Sequence, residues 1–152
     1  MIKLTAFLSF LIVLGSCTFY QPEIVGVDDL KLKKFEGREA EFNVVARIKN
    51  DNNYAIKVKP STLDVYVGDQ YVGNIHLDNK VKLKKKQMTT VDAPFTATIA
   101  EGAMFKVMSL LSQSNVELRL TGKVKASVFI VSKKVDVDER KTIDLSSLGL
   151  GN

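Results

Sequence analysis

The chain has 152 residues, 45% of them apolar and 26% charged, with a formal charge of +5. That length suits one domain with its own core, and the balance of apolar and charged residues excludes disorder for the bulk of the chain. The single cysteine excludes an intramolecular disulfide, so in an exported protein it needs another use.

In chain order, residues 1–16 read as an export signal. Lys3 supplies a minimal basic start, and Leu4 to Leu14 is apolar except for Thr5 and Ser9. A helix crossing hydrocarbon needs about 20 residues, so this shorter run fits the apolar part of a cleaved signal peptide. It ends in Leu14-Gly15-Ser16-Cys17, which resembles a bacterial lipobox in spacing and residue type. The resemblance implies cleavage between Ser16 and Cys17 and a diacylglyceryl group on the Cys17 thiol. At about 0.8 kcal/mol per buried methylene one acyl chain anchors marginally, whereas two or three hold permanently. Thr18, not Asp, follows the cysteine, and no acidic cluster comes after it. By resemblance to enterobacterial sorting this implies the outer membrane, facing the periplasm.

Residues 17–23 are expected to form a lipidated tether, 24–145 the folded domain and 146–152 a flexible tail. Ile24 to Lys33 predicts a strand, with Val25, Val27 and Leu30 as anchors. Phe42, Val44, Ala46 and Ile48 alternate with Glu41, Asn43, Arg47 and Lys49, the pattern of a half-buried antiparallel strand, broken only by Val45. Leu63, Val65 and Val67, then Gly68-Asp69-Gln70 and Tyr71 to Leu77, predict a hairpin. Val81 and Leu83 alternate with lysines. Thr89, Val91, Ala93, Phe95 and Ala97 share a face, and Pro94 puts that strand at an edge or a bulge. Met104, Val107, Met108 and Leu111 form a helical stripe, with Thr98 and Glu101 placed as a capping box. Val116 to Ile130 alternates for fifteen residues, too long for an ordinary strand, so Gly122 is expected to mark a change of partner or sheet. A last strand is expected at Thr142 to Leu145. Together these predict an all-β, immunoglobulin- or fibronectin-type antiparallel β-sandwich of seven or eight strands with one short α-helix.

One stretch carries a family resemblance. Asn50-Asp51-Asn52-Asn53-Tyr54-Ala55-Ile56 follows the Phe42–Lys49 strand and precedes the hairpin that ends in Gly73. This resembles the late embryogenesis abundant type 2 family, or WHy domain, whose pattern is strand, N-P-N, an aliphatic residue four positions on, strand, glycine turn and a second glycine. Asn50 and Asn52 match the asparagines, Ile56 the aliphatic residue and Gly73 the second glycine, while Asp51 replaces the proline. The resemblance implies a seven-stranded sandwich with one helix, non-enzymatic roles in stress protection, no cofactor and no catalytic residues. At a strand end asparagines serve turns, so Asn50 and Asn52 are expected to be structural.

Catalytic and metal-binding patterns are missing from the sequence. His76 is the single histidine; no serine sits in a nucleophile turn to partner it. Acylated Cys17 would be lost to a metal site. Asp28-Asp29 and Asp136, Asp138 and Glu139 lack calcium-loop spacing and read as solvated edges. Lys80, Lys82, Lys84, Lys85 and Lys86 make the densest basic stretch, protecting a strand edge or contacting anionic headgroups. Nucleic acid is not expected as a partner; the membrane, through the anchor, and envelope proteins or anionic lipid headgroups are. The alternative is a carrier of lipid or another hydrophobic ligand, lined by Tyr54, Tyr66, Tyr71, Phe95 and Phe105.

Overall fold

The computed structural model describes residues 18–110 and 112–148. The signal segment, the Ser16–Cys17 cleavage and lipidation site, Leu111 of the helical stripe and residues 149–152 of the tail lie outside the described residues.

Alternating sequence becomes strand only where a partner takes up the backbone groups, and here long hairpins supply the partners. The strands are β1 (Glu23–Glu36), β2 (Glu39–Asn50), β3 (Ile56–Val58), β4 (Thr62–Val67), β5 (Gln70–Leu77), β6 (Val81–Leu83), β7 (Gln87–Ile99), β8 (Asn115–Val128) and β9 (Val131–Asp144). Helix α1 (Met104–Leu110) lies between β7 and β8, and a 3-10 turn (Leu145–Leu148) follows β9. Hydrogen bonding runs β1-β2-β7-β5-β4-β8-β3-β6, with β9 on β8. All pairings are antiparallel. The fold is all-β and sandwich-like, as expected, with nine strands among the described residues where seven or eight were predicted.

β3 was not expected, and β9 was expected only at its end, for different reasons. β3 is three residues long. β9 runs fourteen residues, far beyond the expected Thr142–Leu145, but it is an edge strand whose half-buried positions are few, Val135, Val137 and Ile143. An edge strand with charges on both faces carries little periodic signal.

β8 changes partner where expected. It pairs with β4 up to Gly122 and with β3 at Ala126 and Ser127. At Gly122 φ is +145°, and a Cβ there would press on Leu63 Cδ2 at 3.0 Å. Pro94 lies opposite Asn43 of β2 on one side, and its carbonyl accepts from Asp78 N on the other, just past the last β5–β7 pair. Its missing N–H faces that same side, so the proline occupies a local edge.

Two expectations fail. Thr98 belongs to β7, and α1 starts only at Met104 after an Ala103 N→Ala100 O turn, so no capping box forms. Met108 points to solvent, whereas Met104 and Val107 pack on Val72, Ile99 and Ala103, and Leu110 is buried. This face of the helix, not the Met108 side, meets the sheet.

Candidate functional site

At the end of β2 the backbone stops pairing and the Asn50 side chain turns inward until it is 0% exposed. A buried carboxamide is tolerated only if its donors and acceptors are met. Asn50 Nδ2 donates to Tyr54 O at 2.9 Å and Lys84 O at 3.1 Å. Its Oδ1 accepts from Asn52 N at 3.1 Å and Asn52 Nδ2 at 2.9 Å. One side chain thereby ties together the turn after β2 and the turn after β6.

Asn52, 1% exposed, extends the network to the start of the domain. Its Nδ2 donates to Tyr20 O at 2.6 Å, and its Oδ1 accepts from Tyr20 N at 2.9 Å. The carboxamide thus acts as a strand partner for a single residue, Tyr20. Its own carbonyl accepts from Lys86 N at 2.9 Å, and the Lys86 ammonium lies 6.0 Å from the Tyr20 ring centre. Below the turn, Ile56 and Leu83 pair across β3 and β6 and are fully buried. Asp51 points outward and pairs with Lys49 at 3.2 Å, so the residue at the proline position takes no part in the network.

Gly73, the last of the four motif positions, lies at the other end of the molecule. It pairs with Val65 beside a bulge and with Ile99 of β7. With φ at +149°, a Cβ would meet Thr98 O at 2.1 Å. Only glycine fits between these strands.

The lysine stretch is divided by the fold. Lys80 precedes β6 and Lys82 is its central residue, opposite Lys57. Lys84, Lys85 and Lys86 form the exposed turn that Asn50 and Asn52 hold. None of these lysines joins an ion pair among the described residues.

The same end carries a feature that the sequence hides. The alternating run was expected to continue through Ile130, but β8 stops at Val128 and returns at Val131 through the two-residue turn Phe129-Ile130. Phe129 adopts φ +53°. Phe129 is 81% and Ile130 99% exposed. The Phe129 ring lies 6.5 Å from that of Tyr54, which places the tip beside the asparagine turn. Val128-Phe129-Ile130-Val131 contains no Gly, Asn, Asp or Pro, so nothing in it signals a turn.

The other candidates separate. His76 Nδ1 is 2.8 Å from Thr62 Oγ1 in the β4–β5 ladder, and Thr96, opposite His76 on β7, holds the Asp78 carboxylate at 3.1 Å. Four of the five clustered acidic residues pair with cations, Asp28 with Arg47, Asp29 with Lys31, Asp136 with Lys123 and Asp138 with Arg119, and Glu139 accepts from Gln21 Nε2 at 3.3 Å. Arg119 grips Asp138 through Nε and Nη2, both at 2.7 Å. That bidentate bond, then the neighbouring positive charge, holds the Asp138 carboxyl below its usual range and raises Arg119. A hydrogen bond from Lys31 to Asp29 likewise raises Lys31. Among the described residues no group of three or more His, Cys, Asp or Glu is placed to hold a metal, and no helix is long and apolar enough to cross a membrane.

The rings proposed to line a carrier cavity are dispersed. Tyr54 meets Phe129, Tyr66 meets Tyr71 edge-on at 5.4 Å, and Phe95 stacks on Phe42 at 5.9 Å. Phe105 stands on α1, 89% exposed. A hollow of about 60 Å³ lined by Lys34, Glu36, Glu39 and Glu41 is polar and far smaller than the ~300 Å³ of small-molecule pockets.

Comparison with known proteins bears on the motif turn and the strands around it. Residues 45–141 match the family model LEA_2, late embryogenesis abundant protein. The match starts within β2 and ends within β9, and includes Asn50, Asn52, Ile56 and Gly73. Two solved structures are similar. A protein from Archaeoglobus fulgidus is 11% identical, over 78% of this chain and 97% of that one, with a TM-score of 0.46. A protein from Arabidopsis thaliana is 13% identical, over 83% of this chain and 85% of that one, with a TM-score of 0.42. No curated protein matches the sequence.

Proposed function

The chain belongs to the late embryogenesis abundant type 2 (LEA_2) family, and from that premise we propose that it is a lipid-anchored, non-catalytic module of the bacterial cell envelope. Its family is generally non-enzymatic, which agrees with the scattered placement of His76 and the paired carboxylates. The anchor is a diacylglyceryl group on Cys17 after cleavage behind Ser16, at the outer membrane facing the periplasm. From there the domain contributes to stress protection through contacts of its surface with envelope proteins or anionic lipid headgroups.

One observation carries the reading: Asn52 bonds both backbone polar groups of Tyr20, three residues after Cys17. A tether whose only task was to give reach would have no use for a buried carboxamide fixing it so near its origin. A rigid attachment suits a module that works at the membrane surface.

Expressed in a bacterial host, the wild-type protein should enter the detergent phase and carry the acyl mass on its amino-terminal peptide. Cys17→Ser should remain uncleaved or leave the membrane, and should not restore the desiccation survival that the wild type restores to a deletion strain. A cleaved Cys17→Ser protein still wholly membrane-bound would contradict the anchor. Full survival with Cys17→Ser would contradict the role at the membrane.

A further inference from the structure

The tip of the β8–β9 hairpin is built against the usual logic of such turns. Two-residue hairpin turns favour Asn, Asp and Gly because a positive φ costs those residues least. Here the positive φ falls on Phe129, followed by Ile130 and Val131, all three exposed. Holding a bulky residue in that region costs on the order of 1–3 kcal/mol, and presenting three large apolar side chains to water adds to the cost. Neither cost is recovered inside the domain. Among the described residues Phe129 meets only the Tyr54 ring, and Ile130 is almost fully solvated.

The surroundings identify what covers the tip. Tyr54 O is bonded to Asn50, Asn50 to Asn52, and Asn52 to Tyr20. The tip, the Lys84–Lys86 turn and the start of the described chain therefore share one pole. Three residues of extended chain span at most about 11 Å. Wherever Cys17 is held, Tyr20, which Asn52 fixes to this pole, lies within that distance. Phe19 and Tyr20 are exposed, and the Tyr20 ring stands beside Lys86. Apolar and aromatic side chains next to cations match an anionic bilayer interface, where the rings enter the headgroup layer and ammonium groups meet phosphate.

We propose that this pole is a second, non-covalent membrane-binding site, in which Phe129, Ile130 and Val131 insert into the interface of an anionic bilayer and Lys84, Lys85 and Lys86 contact its phosphates. The proposal rests on the lipid anchor to bring the pole to the surface. It fixes the orientation of the domain: α1 and the Gly73 end point away from the membrane.

The chain contains no tryptophan, so single replacements report cleanly. The full-length, processed protein is reconstituted into phosphatidylcholine–phosphatidylglycerol vesicles as Ile130→Trp and, separately, as Phe105→Trp on α1 at the opposite pole. Both positions are solvent-exposed, so neither change threatens folding. Ile130→Trp emission should shift to the blue and be quenched by lipids brominated in the upper acyl chain. Phe105→Trp should keep its water-exposed emission, and Ile130→Trp/Phe129→Asp should lose the shift. The mass of residue 17 in each sample separates the two claims. An acylated protein with unshifted Ile130→Trp emission overturns the insertion and leaves the anchor standing. A shift on a protein with bare Cys17 upholds the insertion and removes the anchor. A concentration-dependent shift without vesicles assigns the tip to self-association and overturns the proposal, as does a Phe105→Trp shift in place of the Ile130→Trp shift.

Discussion

The two ends of the sandwich are held together by different physics. β8 runs from one to the other, fourteen residues at about 3.3 Å each, so the poles are roughly 40–45 Å apart. At the α1 end the core is apolar: Val72, Ile99 and Ala103 pack with Val65, Val67, Met104 and Val107, and glycine at position 73 lets β5 and β7 close. At the asparagine end two buried carboxamides join three chain segments by hydrogen bonds, over Ile56 and Leu83. Apolar packing is non-directional and tolerates small shifts, whereas a buried amide network has one satisfied geometry. The end that must fix a chain segment in place uses the directional device.

The contrast can be broken first at the glycine. Gly73→Ala puts a methyl group 2.1 Å from a carbonyl oxygen at an unfavourable φ. It should cost on the order of 3 kcal/mol or more, read as a fall in the urea midpoint. Next come the single deletions. Asn50→Ala leaves Tyr54 O, Lys84 O and Asn52 N without their partner, takes one of two acceptors from Asn52 Nδ2, and should cost about 2–4 kcal/mol. Val72→Ala removes two methyl-sized groups and should cost about 2 kcal/mol. Limited proteolysis separates the two: Asn50→Ala should open the segment around Tyr20 to cleavage, and Val72→Ala should not. A double-mutant cycle sharpens this. Val72→Ala with Asn52→Ala should be additive within about 0.5 kcal/mol, while Asn50→Ala with Asn52→Ala should fall short of additivity by about 1 kcal/mol or more, because they share one network.

The smallest effect lies between the poles. Asp138 has a folded pKa below that of the unfolded chain because Arg119 binds its charged form. Its contribution is present above the unfolded carboxylate value of about 3.9 and is lost as pH falls through the lower folded value. Asp138→Asn should lower stability slightly near neutrality and flatten the acid side of the stability–pH curve below about pH 4, where the two proteins converge. Because the pair is solvent-exposed, the change should be small.

Much of this was legible from residue spacing. Alternation in β2, β4, β5 and β7, and the pairing switch at Gly122, are local signals that the fold preserves. Asn50, Asn52, Ile56 and Gly73 also stood out, although turn chemistry alone did not reveal that Asn52 holds Tyr20. That bond joins residues 32 apart, and a side chain acting as a strand partner leaves no periodic trace. The tip was misread because Ile130 kept the alternation of β8 into a turn with no turn residues. Met108 was misassigned because a seven-residue helix is too short for periodicity to fix which side meets the sheet. β9 was underestimated because an edge strand needs only one apolar face, and here that face is nearly empty.

Hydrogen exchange of the Tyr20 amide is the direct test of the asparagine clamp. In the wild-type protein this amide, donated to Asn52 Oδ1, should exchange far more slowly than its neighbours in the 18–22 segment. In Asn52→Ala it should exchange at the rate of an unstructured chain, while amides of β5 and β7 at the far end keep their protection. Free-chain exchange at Tyr20 in the wild type would contradict the account, because the segment after Cys17 would then be loose and the pole it joins would have no fixed place.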